Sequence, residues 1–320
     1  MAKFFIIGGC GFVGSHISRR LLSEGDEVVC FDAFLNFIDP LKSNYERILK
    51  ARLSDIKDKV KIIRGDIRHK GDLLRALREE KPEVVIHLAA LPIATKSNEF
   101  PEDAISINLD GLVNVLESLR ELGSVKRFVY TSSSFVYGDF VKEVADEEHP
   151  LNPIDIYGGT KLAGEVLTRA YSKKFGIDYT IIRPSAVYGP GDANRRVSQV
   201  FVENALKGEP LKLFDGGLEK IDFTHVTDAA TGFVLAAKSA KAKNETFNIT
   251  AGNARTIKEF AELVAKHVPN TKFVESGTDI RRPKRGSLSI EKAKRLLGFS
   301  PKTNIEEGIE KYVEFVKKTG

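Results

Sequence analysis

Short apolar runs alternate with helical stretches through the first 183 residues, and this alternation constrains the fold more than any other feature of the chain. Lys3–Gly8, Glu27–Phe31, Val60–Arg64, Val84–Ala90, Arg127–Ser132 and Tyr179–Arg183 read as strands. Gly14–Glu24, Ser43–Lys59, Gly71–Glu80, Pro101–Leu122 and Tyr157–Phe175 read as helices. Strands that are apolar throughout, with helices between them, pair in parallel through right-handed crossovers. The expectation is therefore an α/β protein with a doubly wound parallel sheet. After Arg183 the rhythm changes. Turn clusters appear at Gly189-Pro190-Gly191 and Asp215-Gly216-Gly217, and Val197–Lys207, Ala229–Ser239, Ile257–His267, Glu291–Leu297 and Ile305–Lys318 read as helices. The expected division is a larger domain over residues 1–183, rejoined by 219–249, and a smaller α/β domain from 184–218 and 250–320.

Composition removes several classes of function. Hydrophobic residues make up 42% of the 320, enough for a core, and charged residues 29%. Lys and Arg (49) are interleaved with Asp and Glu (44), so a nucleic-acid partner is not expected. No apolar run approaches the ~18 residues that span a bilayer. Phe4-Phe5-Ile6-Ile7 runs into glycines, too short for a secretory segment. The reading is a soluble, cytoplasmic protein without a membrane partner. Cys10 and Cys30 cannot build a disulfide framework, and no Cys/His cluster has metal-ligand spacing.

Gly8-x-x-Gly11-x-x-Gly14 follows the first strand and opens the first helix. Glycines there permit a tight turn and close approach to a pyrophosphate, and the helix N-terminus offers unpaired N–H groups. Asp32 ends the second strand, 18 residues beyond Gly14, where a carboxylate accepts from a ribose 2′-OH and repels a 2′-phosphate. A Rossmann dinucleotide site preferring NAD follows. Asp66 ends the third strand, and its position leaves two readings: the rim of that site, or a cap for Gly71–Glu80. Tyr157 and Lys161 stand at i and i+4 on one helix face, where an ammonium lowers the phenol's pKa and suits it to act as a base. The run Thr131-Ser132-Ser133-Ser134 follows a strand, and a serine there can hydrogen-bond a reacting oxygen.

These motifs occur in order with Gly65-Asp66-Ile67, His87-Leu88-Ala89-Ala90, Val136-Tyr137-Gly138, Arg183-Pro184-x-x-Val187-Tyr188-Gly189-Pro190-Gly191 and Leu297-Gly298-Phe299-x-Pro301. Over essentially its whole length the chain resembles the extended short-chain dehydrogenase/reductases, in the NAD-dependent nucleotide-sugar epimerase/dehydratase branch of the UDP-glucose 4-epimerase kind. The resemblance implies that Tyr157 is the base, Lys161 its electrostatic partner and Ser133, four residues before Tyr137, the catalytic serine. It implies that NAD is held by Gly8, Gly11, Phe12, Val13, Asp32, Asn36, Asp66, Ile67, Leu88, Ala89, Ala90, Tyr157, Lys161 and Pro184. Ser133, Ser134, Arg195 and Arg282 would contact a nucleotide-sugar, with Arg196 a further candidate, and Asn108 would be structural or shape the site. It also implies a homodimer joined through Pro101–Leu122 and Tyr157–Phe175; the apolar face of Ile105, Leu109, Leu112, Val113 and Leu116 could equally be absorbed by the protein's own sheet.

The implied reaction is C4 epimerisation of a UDP-hexose or UDP-uronate through a transient 4-keto sugar. The alternatives are a dehydrogenase or reductase with net redox turnover, and a non-catalytic dinucleotide sensor. Departures from the family pattern matter. Ser134 and Phe135 replace the Asp-Glu pair of dehydratases, which disfavours water elimination. Ile221 and Ala186 replace the usual diphosphate-contacting Arg and a usual Asn, whereas Arg282 matches the late phosphate-binding arginine. The segment Asn36–Asp58, with Tyr45, Arg47, Lys50 and Arg52, resembles an insertion of uronic-acid epimerases, and otherwise reads as a solvated amphipathic helix.

Overall fold

The protein is seen in a computed structural model that describes residues 1–38, 44–277 and 282–319; Ser43 and Arg281 of the sequence reading lie outside the described residues. Seven strands form one parallel sheet in the order β12-β7-β5-β4-β1-β2-β3. They are β1 (Lys3–Ile7), β2 (Glu27–Asp32), β3 (Lys61–Arg64), β4 (Val84–His87), β5 (Arg127–Thr131), β7 (Tyr179–Pro184) and β12 (Glu245–Ile249). Successive strand side chains point to opposite faces. Phe4 and Ile6 accordingly enter one core with Ile17, Leu21 and Phe233, while Phe5 and Ile7 enter the other with Leu73, Leu112 and Phe128. Both faces are covered, which is why these strands read as continuous apolar runs.

Helices α1 (Phe12–Ser23), α2 (Tyr45–Leu53), α3 (Lys70–Glu80), α4 (Ala94–Glu99), α5 (Pro101–Ile105), α6 (Gly111–Leu122) and α7 (Ile156–Phe175) connect the strands. The expected helix Pro101–Leu122 is interrupted by one wide turn at Ser106–Asp110. That turn buries Asn108, whose Oδ1 accepts from Leu91 N at 2.8 Å and whose Nδ2 donates to Thr160 Oγ1 at 3.0 Å. It thereby ties the loop after β4 to α7. The expected helix 43–59 is shorter, ending at Leu53.

The rest is α8 (Val197–Lys207), α9 (Val226–Lys238), α10 (Ile257–His267), α11 (Glu291–Leu297) and α12 (Ile305–Thr319), with four small strand pairs. These pair β6 (Val144–Ala145) with β15 (Ser287–Leu288), β8 (Val187–Tyr188) with β11 (Thr224–His225), β9 (Leu211–Phe214) with β14 (Phe273–Ser276), and β10 (Lys220–Ile221) with β13 (Arg255–Thr256). A third apolar cluster, including Phe201, Leu211, Phe223, Phe260 and Tyr312, joins α8, α10 and α12. Helix α9 packs on α1, and β12 closes one edge of the main sheet.

A buried ionic network fixes α7 against the sheet. Glu165, 1% exposed, accepts from Arg183 Nε at 2.8 Å and Nη2 at 2.7 Å, and from Ser132 Oγ at 2.6 Å. Arg183 Nη1 also donates to Tyr137 OH at 3.0 Å, whose hydroxyl donates to Asn248 Oδ1 at 2.7 Å. Removing one partner of such a pair leaves an uncompensated buried charge. Glu165→Ala is expected to cost about 3–5 kcal/mol of unfolding free energy, measured by chemical denaturation, against under about 1 kcal/mol for losing the half-exposed Arg169 partner.

Candidate active site

The strand order reverses between β1 and β4, and a crevice opens at their carboxyl ends. Ile7 leads directly into Gly8, whose φ of +83° suits glycine. A Cβ on Gly8 would lie 2.8 Å from Ala89 N, and one on Gly14 would lie 2.4 Å from Gly8 O. Helix α1 begins after Gly11 with no side-chain cap and no acidic residue in its first turn, so its N–H groups remain open to an anion. Asp32 Oδ2 accepts from Cys10 N at 2.9 Å and Oδ1 from Phe34 N at 2.8 Å. Burial raises its pKa above the usual carboxylate value, against the opposing pull of these N–H groups and of Arg52.

One cavity of about 700 Å³ runs from this turn to the serine run and beyond. Gly8, Gly11, Phe12, Val13, Asp32, Asp66, Ile67, Leu88, Ala89, Ala90 and Pro184 all line it. Asn36 does not: its Oδ1 accepts from Ile38 N at 3.1 Å, and its neighbours Leu35 and Phe37 form the wall instead. Asp66 is not the cap of α3, which His69 precedes; its carboxylate accepts from Arg68 N at 2.9 Å and from the Arg68 guanidinium. Burial pushes Asp66 up, but Arg68 outweighs it and holds the carboxyl below its usual value. A glycine cradle with no room for a side chain, an open helix N-terminus and a carboxylate at the end of β2 together fit a dinucleotide.

Tyr157 is the second residue of α7, whose cap Asp155 accepts from Gly158 N at 2.7 Å. Ser133 caps the short turn Ser134–Tyr137, its Oγ accepting from Phe135 N at 3.2 Å, and its hydroxyl faces the same cavity as the Tyr157 phenol. Ser133, Ser134, Tyr157 and Lys161 line the same cavity. The i, i+4 spacing therefore places both α7 side chains there, but their electrostatics differ from expectation. Lys161 Nζ donates to Thr131 O at 3.0 Å and stands 5.9 Å from the centre of the Tyr157 ring. Burial lowers its pKa to about 8. Tyr157 is raised rather than lowered: burial dominates, Asp155 adds to it, and Arg196 and Ser133 oppose the rise. Lys161 is not among the groups that lower Tyr157; its ammonium donates to a backbone carbonyl.

The far wall is cationic, with its charges already paired. Arg195 Nη1 donates to Glu203 Oε2 at 3.2 Å, and Arg196 Nη1 lies 3.8 Å from Asp192. Arg282 Nη1 donates to Glu219 Oε2 at 3.1 Å. Ile221 and Ala186 line the cavity where the family has polar side chains. One arginine escaped the sequence reading, and another was named there without a role of its own. Arg285 shares Glu219 with Arg282, and nothing in its spacing singled it out. Arg52, on the helix read as solvated, is buried instead; it donates to Cys10 O at 3.1 Å and to Gly191 O at 2.6 Å, bracing the glycine turn.

Comparison with known proteins agrees with this geometry. The model of the NAD dependent epimerase/dehydratase family matches residues 4–250. The chain is similar to a UDP-glucose 4-epimerase of Mycolicibacterium smegmatis, 33% identical with 98% of each chain covered. It is similar to a putative UDP-glucose 4-epimerase of Methanocaldococcus jannaschii, 31% identical over 98% of this chain and 97% of that one. Its fold is similar to the crystal structure of a UDP-glucuronic acid 4-epimerase from Bacillus cereus in complex with UDP-glucuronic acid and NAD, with a TM-score of 0.90, 27% identity and 99% of each chain covered. With an open glycine turn, a carboxylate after β2 and a Ser-Tyr-Lys set in one crevice, the chain belongs to the NAD-dependent epimerase/dehydratase family.

Proposed function

We propose that this protein is an NAD-dependent 4-epimerase acting on a UDP-hexose or UDP-uronate. The observation that carries the reading is the convergence of Ser133, Tyr157 and Lys161 on the one cavity that begins at the glycine turn. NAD, held along Gly8–Gly14, Asp32 and Leu88–Ala90, supplies the hydride acceptor and donor for the sugar's C4. Tyr157 takes the proton from O4 and returns it to O4 once the sugar has presented its opposite face, Ser133 holds the reacting oxygen, and Arg196 favours the phenolate. Lys161 supports the same end of the cofactor site from the next turn of α7. The 4-keto sugar is retained while it turns over. Phe135 offers no acid for water elimination, which favours epimerisation over dehydration. Ser134, Arg195 and Arg282 serve substrate binding, with Arg282 on the diphosphate.

The reading includes two copies of the chain in the cytoplasm, where NAD and nucleotide-sugars are made and used. Two unpaired cysteines suit that compartment. Leu112 and Leu116 pack on the chain's own sheet, but Ile105 on α5 and Phe175 on α7 are exposed, and Val166 on α7 is 59% exposed. These residues support α5–α6 and α7 as the dimer face.

Tyr157→Phe is expected to lower kcat by about 10²–10⁴-fold while NAD remains bound, followed by NMR of the sugar anomers. Sustained NADH release equal to product would instead indicate net redox turnover. In the unliganded protein, Lys161 loses its proton near pH 8 when folded and near 10.5 when unfolded. The unfolded state thus binds more protons between those values, and stability from this group rises with pH across that window. Lys161→Met is expected to lack the rise in denaturation midpoints measured from pH 7 to pH 10. Light scattering is expected to give about twice the 35.4 kDa chain mass, and Val166→Arg to give the single chain.

A further inference from the structure

Glu219 is shared by two arginines that differ in exposure. Its Oε2 accepts from Arg282 Nη1 at 3.1 Å and its Oε1 from Arg285 Nη2 at 2.8 Å. Arg282 is 40% exposed, with its guanidinium 5.6 Å from the centre of the Phe214 ring on β9. The Arg285 side chain is 9% exposed, and its guanidinium lies 4.7 Å from the centre of the Phe135 ring. Its Nε is buried with no hydrogen-bond partner among the described residues, and the residue lines the cavity. A buried guanidinium N–H without an acceptor is costly. Its persistence in a cavity wall points to an acceptor that arrives from outside.

Position indicates which acceptor. The Phe135 ring meets the Tyr157 ring edge-on, with centres 5.6 Å apart. The Arg285 charge is also felt by Asp155, which caps α7 two residues before Tyr157. Arg285 therefore belongs to the end of the cavity where the sugar reacts. In a hexose attacked at C4, the substituent on the neighbouring C5 lies at that end, while the diphosphate leaves C1 across the ring. Glu219 offsets only one of the two guanidinium charges, so the pair retains a net positive charge behind an apolar ring that excludes water.

We infer that Arg285 is a specificity-determining residue that binds a carboxylate on the sugar, making a UDP-uronate the preferred substrate. The inference rests on the epimerase reading above and narrows it. The planar fork of arginine suits a carboxylate, and Glu219 occupies that role until substrate enters.

The test is calorimetric binding of UDP, UDP-glucose and UDP-glucuronate to the full-length, NAD-loaded protein and its variants. Wild type is expected to bind UDP-glucuronate more tightly than UDP-glucose. Arg285→Gln is expected to weaken UDP-glucuronate about 10- to 100-fold, and at least about tenfold more than UDP-glucose. Arg285→Lys, which keeps the charge without the fork, is expected to recover part of the loss. Glu219→Gln removes the built-in competitor at constant size and is expected to tighten UDP-glucuronate relative to UDP-glucose, which covers the case in which Arg285→Gln does not fold. Equal losses for all three ligands would assign Arg285 to the diphosphate and overturn the inference, as would no loss for any. Selectivity is read without turnover. A protein that selects the uronate but does not epimerise it keeps the role of Arg285 and rejects the 4-epimerase, and an epimerase without selectivity does the reverse.

Discussion

The seam between β1 and β4 sets the position of everything functional in this protein. There the Ile7 carbonyl accepts from both Leu88 N at 2.8 Å and Ala89 N at 3.0 Å, so the two backbones run together until the strands end. Beyond that point the connections leave in opposite directions along the sheet, and the crevice is what remains between them. The approach is close enough that Gly8 has no room for a side chain. Helix α1 starts at the mouth of the crevice, so its open N-terminus and the end of β2 converge on the same space. The serine run after β5 and the first turns of α7 enter it from the other side. The reacting groups are therefore held by regular elements, with short loops only at their ends.

Charge is arranged so that the cavity can exist without a ligand. Four arginines of its far wall each have a carboxylate beside them: Arg195 with Glu203, Arg196 with Asp192, and Arg282 and Arg285 with Glu219. Any anion entering there competes with these carboxylates for the guanidinium groups. The catalytic end follows a different logic. Lys161 is buried and Tyr157 half-buried, and desolvation disfavours the charged form of each. The phenol is thus held protonated and the ammonium is weakened until cofactor and substrate change their surroundings. Glu165, by contrast, is saturated by Arg183, Ser132 and Arg169, and it serves to hold α7 in place.

Much of this was legible in the chain. Strands β1, β2, β4, β5 and β7 are apolar because both faces of the sheet are covered, and that leaves a run no surface segment would carry. Strand β12 was not legible. Its sequence Glu245-Thr246-Phe247-Asn248-Ile249 is half polar, and Asn248 is tolerated only because Tyr137, Ala145 and Ser289 satisfy it. The two-residue strands carry no period at all. The wide turn at Ser106–Asp110 has helical composition, and nothing local to it reveals that Asn108 meets Leu91 and Thr160. Arg52 stood among several charges of a segment with two readings, an insertion or a solvated helix, because nothing in its spacing reveals that the glycine turn lies beneath it.

The amino-acid order alone specified the parallel sheet, the dinucleotide turn and the Tyr157–Lys161 pair, since each depends on neighbours within a strand, a turn or one helical repeat. The fold was needed to bring Ser133 to Tyr157, to turn Lys161 toward Thr131, and to set Arg196 and Arg285 around the reacting end. Those relations join segments tens to more than a hundred residues apart in the chain, and their distances and burial exist only once the two cores have packed.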